Sequence, residues 1–269
     1  MTRVLLALVL IASSSSAGLI DLDGHDIDDF YFNVEGRLGV GWLSGRASAD
    51  GRFFDGDKIS YDDLGVDEDE WLLEGAATFR IRKVFQIRSR VFSRSWEGSE
   101  RIDETFEYDD VAFTVSDEVE ARLSVTAAAV DFEWLFLTEG EAKSVAVELG
   151  FGGGIRYLSA RLRIENETTG FTGSRRATAG TLTAGVWGAL TFLNVVRLEA
   201  AVSGFVIDYG SLRLVYLEAG LEGKFFLHRF VYVGAGLRIT DLELERTRGR
   251  DFEVGLTLLN AYVAVGFQF

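Results

Sequence analysis

The sequence contains no cysteine and no proline among its 269 residues. Without cysteine, an exported chain has no disulfide to stabilise its fold, so packing or backbone pairing must do so. Proline normally makes up about 5% of a sequence. Its absence suits long strands, because a proline in a strand removes one hydrogen bond of the ladder. The 21 phenylalanines favour strands as well.

Long apolar runs are also missing, because no stretch after residue 17 has 18 consecutive apolar residues. This excludes a membrane protein that spans with helices. The first 17 residues have an arginine, an apolar run at 4–12 and small residues up to Ala17, which is typical of a secretory signal peptide. We therefore predict a signal peptide at 1–17, an acidic N-terminal leader at 18–31 and one folded domain at 32–269.

Alternation of apolar and polar residues with a period of two runs through most of the chain and predicts β-strands. The best segments are 32–47, 71–82, 84–96, 119–136, 143–164, 178–192, 195–208, 211–226, 229–243 and 253–269. Most are longer than the usual strand of about 5–6 residues and reach the about 9–11 that a tilted strand needs to cross a bilayer. The pattern predicts an all-β, up-and-down antiparallel transmembrane barrel of about ten strands, with eight or twelve as alternatives.

Two segments do not alternate cleanly. In 119–136, Arg122 and Asp131 cannot share one face without a slip. In 143–164 the apolar phase changes near Tyr157 and Leu158, which we interpret as a β-bulge.

The predicted connections alternate between short turns and longer loops, as in outer-membrane barrels. Loop 48–70 has nine acidic residues against Arg52 and Lys58, a net charge of −7, and loop 97–118 has nine against Arg101, a net charge of −8. Together they account for the whole net charge of −15, so the rest of the chain is close to neutral.

The polar faces of the strands have charged residues of both signs. If the apolar faces contact lipid, these charges lie in the lumen, where pairing makes their burial tolerable. The candidate lumen charge network comprises Glu74, Arg80, Arg88, Arg90, Glu148, Arg156, Glu218, Glu222 and Arg238, with Glu35, Arg37, Arg197 and Glu199 as further candidates. A barrel of eight to ten strands encloses little more than side chains, which favours a plugged lumen over an open channel. A soluble lipocalin-like barrel or sandwich, with its apolar faces inward, is the competing fold.

The last nine residues, AYVAVGFQF, place Phe269, Phe267, Val265 and Val263 on one face. They resemble the C-terminal strand of bacterial outer-membrane β-barrel proteins, and residues 88–115 are loosely similar to small, uncharacterised members of that class. The resemblance implies that these four residues form a membrane-insertion signal for the barrel-assembly machinery. It also implies location in the cell outer membrane, in contact with its lipid and lipopolysaccharide.

Groups that support catalysis are scarce. The only histidines are His25, before the first predicted strand, and His228, in a predicted periplasmic turn. The carboxylates of Asp62, Asp63, Asp67, Glu68, Asp69 and Glu70 could hold Ca²⁺ or Mg²⁺. Solvated, mutually repelling loops explain them as well. We expect no cofactor and no nucleic-acid partner; the oligomeric state stays open.

We therefore predict a non-enzymatic outer-membrane β-barrel protein with acidic extracellular loops and a structural or surface-interaction role. The alternatives are a narrow channel for small solutes and a lipid-modifying enzyme of the outer membrane.

Overall fold

A computed structural model describes residues 30–49, 59–66, 70–81, 84–102, 105–109, 111–139, 145–209, 212–246 and 252–269. The predicted signal peptide, residues 18–29 of the predicted leader, and His25 lie outside these residues. Within the described part of the chain, no helix is long and apolar enough to cross a membrane.

Ten long antiparallel strands form one closed barrel, which confirms the predicted fold class and strand number. They are β1 (Phe30–Ala49), β3 (Glu70–Ile81), β4 (Phe85–Arg101), β7 (Glu118–Glu139), β8 (Val145–Asn166), β9 (Thr172–Phe192), β10 (Val196–Tyr209), β11 (Leu212–His228), β12 (Val231–Arg246) and β13 (Phe252–Gln268). Shorter elements lie in two of the connections: β2 (Ile59–Ser60), a 3-10 turn (Asp62–Leu64), β5 (Phe106–Tyr108) and β6 (Val111–Phe113).

Each long strand pairs with its neighbours in the chain, and pairing of β1 with β13 closes the barrel. This seam runs from Asn33 opposite Gln268 to Ala49 opposite Phe252. Backbone hydrogen bonds between Phe32 and Phe269, of 2.8 and 2.9 Å, extend it by one more pair.

The barrel has two ends. At the turn end, β3 passes to β4, β7 to β8, β9 to β10 and β11 to β12, and both β1 and β13 have a terminus there. At the loop end the remaining connections include the two longest, residues 50–69 and 102–117. In outer-membrane barrels the short turns face the periplasm and the longer loops face the exterior.

The half of the barrel nearer the turn end has an apolar outer wall. Outward side chains there include Leu73, Val186, Leu217 and Val263, which are 70%, 62%, 50% and 57% exposed. The belt extends from Phe32 to Trp42 on β1 and from Val145 to Tyr157 on β8. Since about 9–11 tilted residues span a bilayer, this belt has the height of a hydrocarbon core. The apolar faces therefore point to lipid, as predicted.

The half nearer the loop end has the opposite pattern. Its outward positions on β8 hold Arg161, Arg163 and Glu165, which are exposed or half-buried, whereas the inward Leu162 and Ile164 are buried. The same change occurs on β13, where Thr257 is the first polar outward residue beyond Leu259 and Leu258 replaces Asn260 on the inside. A wall that meets water must be polar outside and can be apolar inside. The barrel therefore projects beyond the membrane.

This reversal explains one wrong prediction and one ambiguity. No bulge occurs near Tyr157, because β8 pairs without interruption with β7 and β9 there; the register shift lies in β7, between Leu135 and Leu137. In β7, Arg122 faces outward and Asp131 faces inward without a slip. In both segments a change of solvent along a regular strand imitates a change of phase.

Several boundaries were also wrong. The predicted loops at 97–118 and 165–177 are partly strand, because β4 continues to Arg101, β8 continues to Asn166 and β9 begins at Thr172. The outward residues of these strand extensions are charged, so their composition resembles that of a loop. β1 begins at Phe30, so the last two residues of the predicted leader belong to the barrel.

The belt predicts how the outer wall tolerates charge. Leu38→Arg places a cation on the lipid-facing side of β1 and should destabilise the barrel by about 2–4 kcal/mol. Ser44→Arg lies on the same face of β1, beyond the belt, and should change stability by less than about 0.5 kcal/mol. Urea unfolding in lipid vesicles, followed by tryptophan fluorescence, measures both. Equal effects of the two changes would contradict the position of the belt.

Candidate functional site

The lumen of the membrane-spanning half holds a network of ion pairs contributed by all the long strands except β9 and β13. Period-two alternation directs every second side chain of each strand inward, which brings residues far apart in sequence into contact. Salt bridges among the described residues link eight cations (Arg37, Arg80, Arg88, Arg90, Arg156, Arg197, Lys224, Arg238) to eight carboxylates (Glu35, Glu74, Asp131, Glu133, Glu148, Glu199, Glu218, Glu222). Eight positive and eight negative charges leave this lumen network without net charge.

Arg37 and Lys224 each have three carboxylate partners, more than the other cations of the lumen network, and Arg37 makes the closer contacts. Arg37 forms salt bridges with Glu35, with Glu74 at 2.5 Å and with Glu222 at 2.8 Å, and its guanidinium lies 4.8 Å from the ring centre of Tyr262. Because β1 and β11 are not neighbours in the sheet, the contact with Glu222 crosses the lumen.

Glu74 joins Arg37 to Arg238, and its side chain is only 1% exposed. Further along, Arg90 donates two hydrogen bonds to Glu218, of 2.5 and 3.2 Å, and the Tyr216 hydroxyl donates a third, of 2.9 Å. Each carboxylate is thus held by more than one donor, which is what makes charge burial tolerable.

A second group of contacts lies closer to the turn end. Glu148 accepts from Arg80 at 2.6 Å and also from Arg197. Arg197 also pairs with Glu199 at 2.7 Å, and Lys224 lies 3.3 Å from Glu199. Lys224 continues the lumen network to Glu222 at 3.5 Å and to Glu35 at 3.7 Å.

The structure places all nine residues of the candidate lumen charge network on inward positions with ion-pair partners. Arg88 pairs with Glu133 at 3.1 Å, and Arg156 pairs with Asp131 at 2.7 Å. Asp131, Glu133 and Lys224 were not among the sequence candidates for the lumen. Lys224 has the parity of Glu218 and Glu222 on β11, so alternation alone could have found it. The ambiguity at Arg122 hid the two acids of β7.

The loop end holds an apolar core inside the barrel. Buried residues from the walls, including Leu43, Trp96, Leu123, Ile164 and Leu256, pack with Tyr61, Leu64 and Val66 of segment 59–66 and with Tyr108 and Phe113 of the β5–β6 hairpin. We call this set the mouth core. It closes the lumen at a second level, above the lumen network.

Segment 59–66 is fixed against the wall by close backbone approach. The Tyr61 amide donates to the Gly45 carbonyl at 3.1 Å, and Gly65 adopts a φ of 66° that ends the 3-10 turn. At Gly98 of β4, a Cβ atom would lie 2.5 Å from the Leu64 carbonyl oxygen, so this contact requires glycine there.

Small cavities remain inside the described part of the barrel, and two of them border the middle of the lumen network. One of about 90 Å³ lies among the ion pairs, with Arg37, Arg88 and Glu218 in its lining. The other, of about 60 Å³, lies where Glu74 and Arg156 meet Leu158 and Leu258 of the mouth core. Both have room for only a few waters.

Burial changes the ionisation of the tyrosines in the mouth core. Removal from water disfavours the charged form and raises the pKa of Tyr61 and Tyr108 above the ordinary value. Within the described part of the chain, the buried hydroxyl of Tyr61 has no hydrogen-bond partner. Asp117, at the surface of the loop end, accepts hydrogen bonds from the Thr114 amide and hydroxyl, which lower the pKa of its carboxyl group.

The other sequence candidates lie elsewhere. His228 is at the turn end, where its Nδ1 accepts a hydrogen bond of 3.4 Å from the Phe230 amide. Asp62 and Asp63 are exposed in the 3-10 turn, while Asp67, Glu68 and Asp69 lie outside the described residues. Among the described residues, no three histidine or acidic side chains converge as a metal site would require.

The four residues of the predicted insertion signal all face outward on the belt at the seam. Val263, Val265 and Phe267 lie on β13, and Phe269 follows it directly. Their recognition by the assembly machinery stays a prediction.

No protein-family model and no curated protein matches the chain. Solved structures with similar folds include the Escherichia coli outer membrane protease OmpT, which is 13% identical over 88% of this chain and 96% of that one, with a TM-score of 0.45. OprG of Pseudomonas aeruginosa is 10% identical over 93% and 99%, with a TM-score of 0.41. Ail of Yersinia pestis is 11% identical over 88% and 99%, with a TM-score of 0.32. TM-scores and sequence identities this low support no conclusion about the ligands or activity of this chain.

The lumen network predicts a strong effect of removing one buried carboxylate. Glu74→Gln leaves Arg238 without its carboxylate partner and should destabilise the barrel by about 3–5 kcal/mol. Glu97→Gln removes the partner of Arg122 on the outer wall, where both side chains are about half exposed, and should cost under about 1 kcal/mol. Urea unfolding in vesicles compares the two. Similar losses would contradict the burial of the lumen network.

The mouth core predicts a pH effect at Tyr61. Since its pKa is raised in the folded state, its contribution to stability is complete below about pH 10, the ordinary tyrosine range, and is lost as the pH rises above it. Tyr61→Phe should match or exceed wild-type stability at pH 8, because it removes a buried hydroxyl without a partner. It should also lose less stability by pH 11. Urea unfolding at both pH values measures this, and an unchanged pH dependence would contradict it.

Proposed function

Because the chain is a bacterial outer-membrane β-barrel with paired charges in its lumen, we propose that it is a closed, non-enzymatic barrel with a structural or surface-interaction role. The observation that carries the proposal is the lumen network. Its sixteen charges balance, and its contacts join strands on different sides of the barrel. An ion or solute would have to break these ion pairs to pass.

The mouth core is a second barrier to passage through the lumen, and it also supports the outer wall and loops of the projecting half. Trp96, Leu64 and Leu123 are almost completely buried, so the projecting half of the barrel has the packed interior of a water-soluble domain. A filled interior holds the outer wall and loops in fixed positions. Such a projection suits contact with other molecules at the cell surface better than the passage of solutes.

The location of His228 supports a role without catalysis. An outer-membrane enzyme that acts on external substrates needs its base near the loop end or on the lipid-facing wall. His228 lies at the turn end, beside Phe230, with its Nδ1 engaged by the local backbone.

The acidic loops favour interaction with cationic rather than anionic partners at the loop end. The two longest connections at that end, residues 50–69 and 102–117, contribute a net charge of −6 each, and Asp62 and Asp63 are exposed. This charge repels anionic polymers and other copies of the same surface, and attracts cationic partners or divalent ions.

Planar-bilayer recording tests the closed lumen. Purified, refolded protein should show no discrete conductance steps, while a 16-stranded porin inserted into the same bilayers provides the positive control. A variant with residues 59–66 replaced by a glycine–serine linker of equal length should also be silent, since the lumen network remains.

Steps from the wild type would contradict the proposal and favour a narrow channel. Steps only from the linker variant would show that the mouth core alone seals the lumen. Incubation of the same preparations with lipid A, followed by mass spectrometry, should leave the lipid unchanged. A changed mass would favour a lipid-modifying enzyme.

A further inference from the structure

Four arginines form a patch on the outer wall, beyond the apolar belt. Arg122 on β7 lies directly opposite Arg163 on β8, and Arg161 on β8 lies directly opposite Arg176 on β9. All four are exposed and face outward. We call them the arginine patch.

Like charges directly opposite each other across strands are destabilising. The wall reduces this cost for one pair by hydrogen bonds to hydroxyl groups. Arg161 Nε donates to Ser174 Oγ at 3.1 Å, and Arg176 Nε donates to Ser159 Oγ at 2.9 Å. These bonds fix both guanidinium groups through Nε, which leaves the terminal nitrogens of two neighbouring cations available to one anion.

The two pairs differ in their carboxylate partners. Arg122 pairs with Glu97 at 2.5 Å, and Arg163 pairs with Glu165 at 2.7 Å. Among the described residues, Arg161 and Arg176 form no salt bridge with a carboxylate. A surface depression of about 300 Å³ adjoins Arg161 but not Arg176, and its lining includes Arg122 and Arg163 together with the carboxylates of Glu120 and Glu165. The two guanidinium groups of Arg161 and Arg176, each held through Nε on neighbouring strands, suit a phosphate group.

The height of the patch identifies the source of the phosphate. On β8 the outward positions run from Tyr157, at the edge of the belt, through Ser159 to Arg161. Four residues of strand span about 13 Å, and a tilt near 45° reduces this to roughly 10 Å above the belt edge. Long arginine side chains can reach back toward the interface. The phosphates of lipid headgroups lie at this level, just outside the hydrocarbon.

The opposite wall has no comparable patch among its described residues. On β12, Asp241 is the first outward residue beyond Ile239, followed by Glu243 and Glu245. Arg46 on β1 also faces outward, but it pairs with Glu253 at 3.0 Å. The basic character is therefore local to β7, β8 and β9, as expected of a binding surface rather than of a uniformly charged collar.

We infer that Arg161 and Arg176, flanked by Arg122 and Arg163, bind a headgroup phosphate of lipopolysaccharide in the outer leaflet. This site lies on the outer wall and does not depend on whether the lumen conducts. A conducting barrel would refute the closed lumen and leave the phosphate site untouched.

The experiment compares lipid A retention by three forms of the protein in phosphatidylcholine vesicles doped with bisphosphorylated lipid A. They are the wild type, the double variant Arg161→Gln/Arg176→Gln, and Arg46→Gln as the matched control on the opposite wall. Native mass spectrometry after detergent extraction counts bound lipid A across a range of doping. The double variant should bind about tenfold more weakly or worse, and Arg46→Gln should bind like the wild type.

Two further arms identify the ligand group. Lipid A without its phosphates should bind the wild type as weakly as bisphosphorylated lipid A binds the double variant. Inorganic phosphate should not displace bisphosphorylated lipid A at moderate ionic strength; displacement by inorganic phosphate would overturn the assignment to a lipid headgroup.

Equal retention by the wild type and the double variant would overturn the proposal, as would an equal loss in Arg46→Gln. Heat-modifiable mobility checks that each variant is folded. Removing two opposed like charges should not destabilise the barrel without lipid A. If the double variant does not fold, each single variant should weaken binding, and wild-type binding by both would overturn the site.

Discussion

A strand that alternates with a period of two fixes which side chains face inward and which face outward, and the rest of this structure depends on that constraint. The outer medium changes from lipid to water partway along the barrel. Since the backbone continues unchanged, the chemistry of both faces must exchange at that level. On β8 the exchange separates outward Tyr157 from Arg161, and inward Arg156 from Leu162. One continuous hydrogen-bonded sheet thus joins two halves of the barrel in which the polarity of the inner and outer faces is reversed.

The charged lumen within the membrane and the apolar mouth core beyond it have different physical causes. Within the membrane, an apolar lumen and an apolar wall together would leave the strands without the alternation that sets their register. Charges fill the lumen instead, and burial forces them into pairs such as Arg37 with Glu74. Beyond the membrane, charged side chains face outward because water solvates them there. The interior can then pack apolar side chains such as Trp96 and Leu123 as an ordinary core.

Much of this could be predicted from the sequence, because period-two alternation is a local signal. The ten strands and the inward charges such as Glu148 and Glu218 follow from parity alone. The reversal beyond the belt does not, since Arg122 and Arg161 signal loop or bulge when the membrane is assumed to extend along the whole strand. The insertion of Tyr61 and Leu64 into the mouth core, and the meeting of Arg161 with Arg176, depend on register between strands, which parity does not determine.

The seam between β1 and β13 has a kinetic consequence. Every other long strand finds its partner next in the chain, whereas Asn33 must find Gln268. Contacts so distant in sequence form slowly, because the intervening chain must first be ordered. Until they form, the edge of β1 has unpaired amide and carbonyl groups. These groups are costly to expose to lipid, and they can pair wrongly with the exposed edge of another strand. The nascent sheet therefore requires a protected environment until its last strand docks.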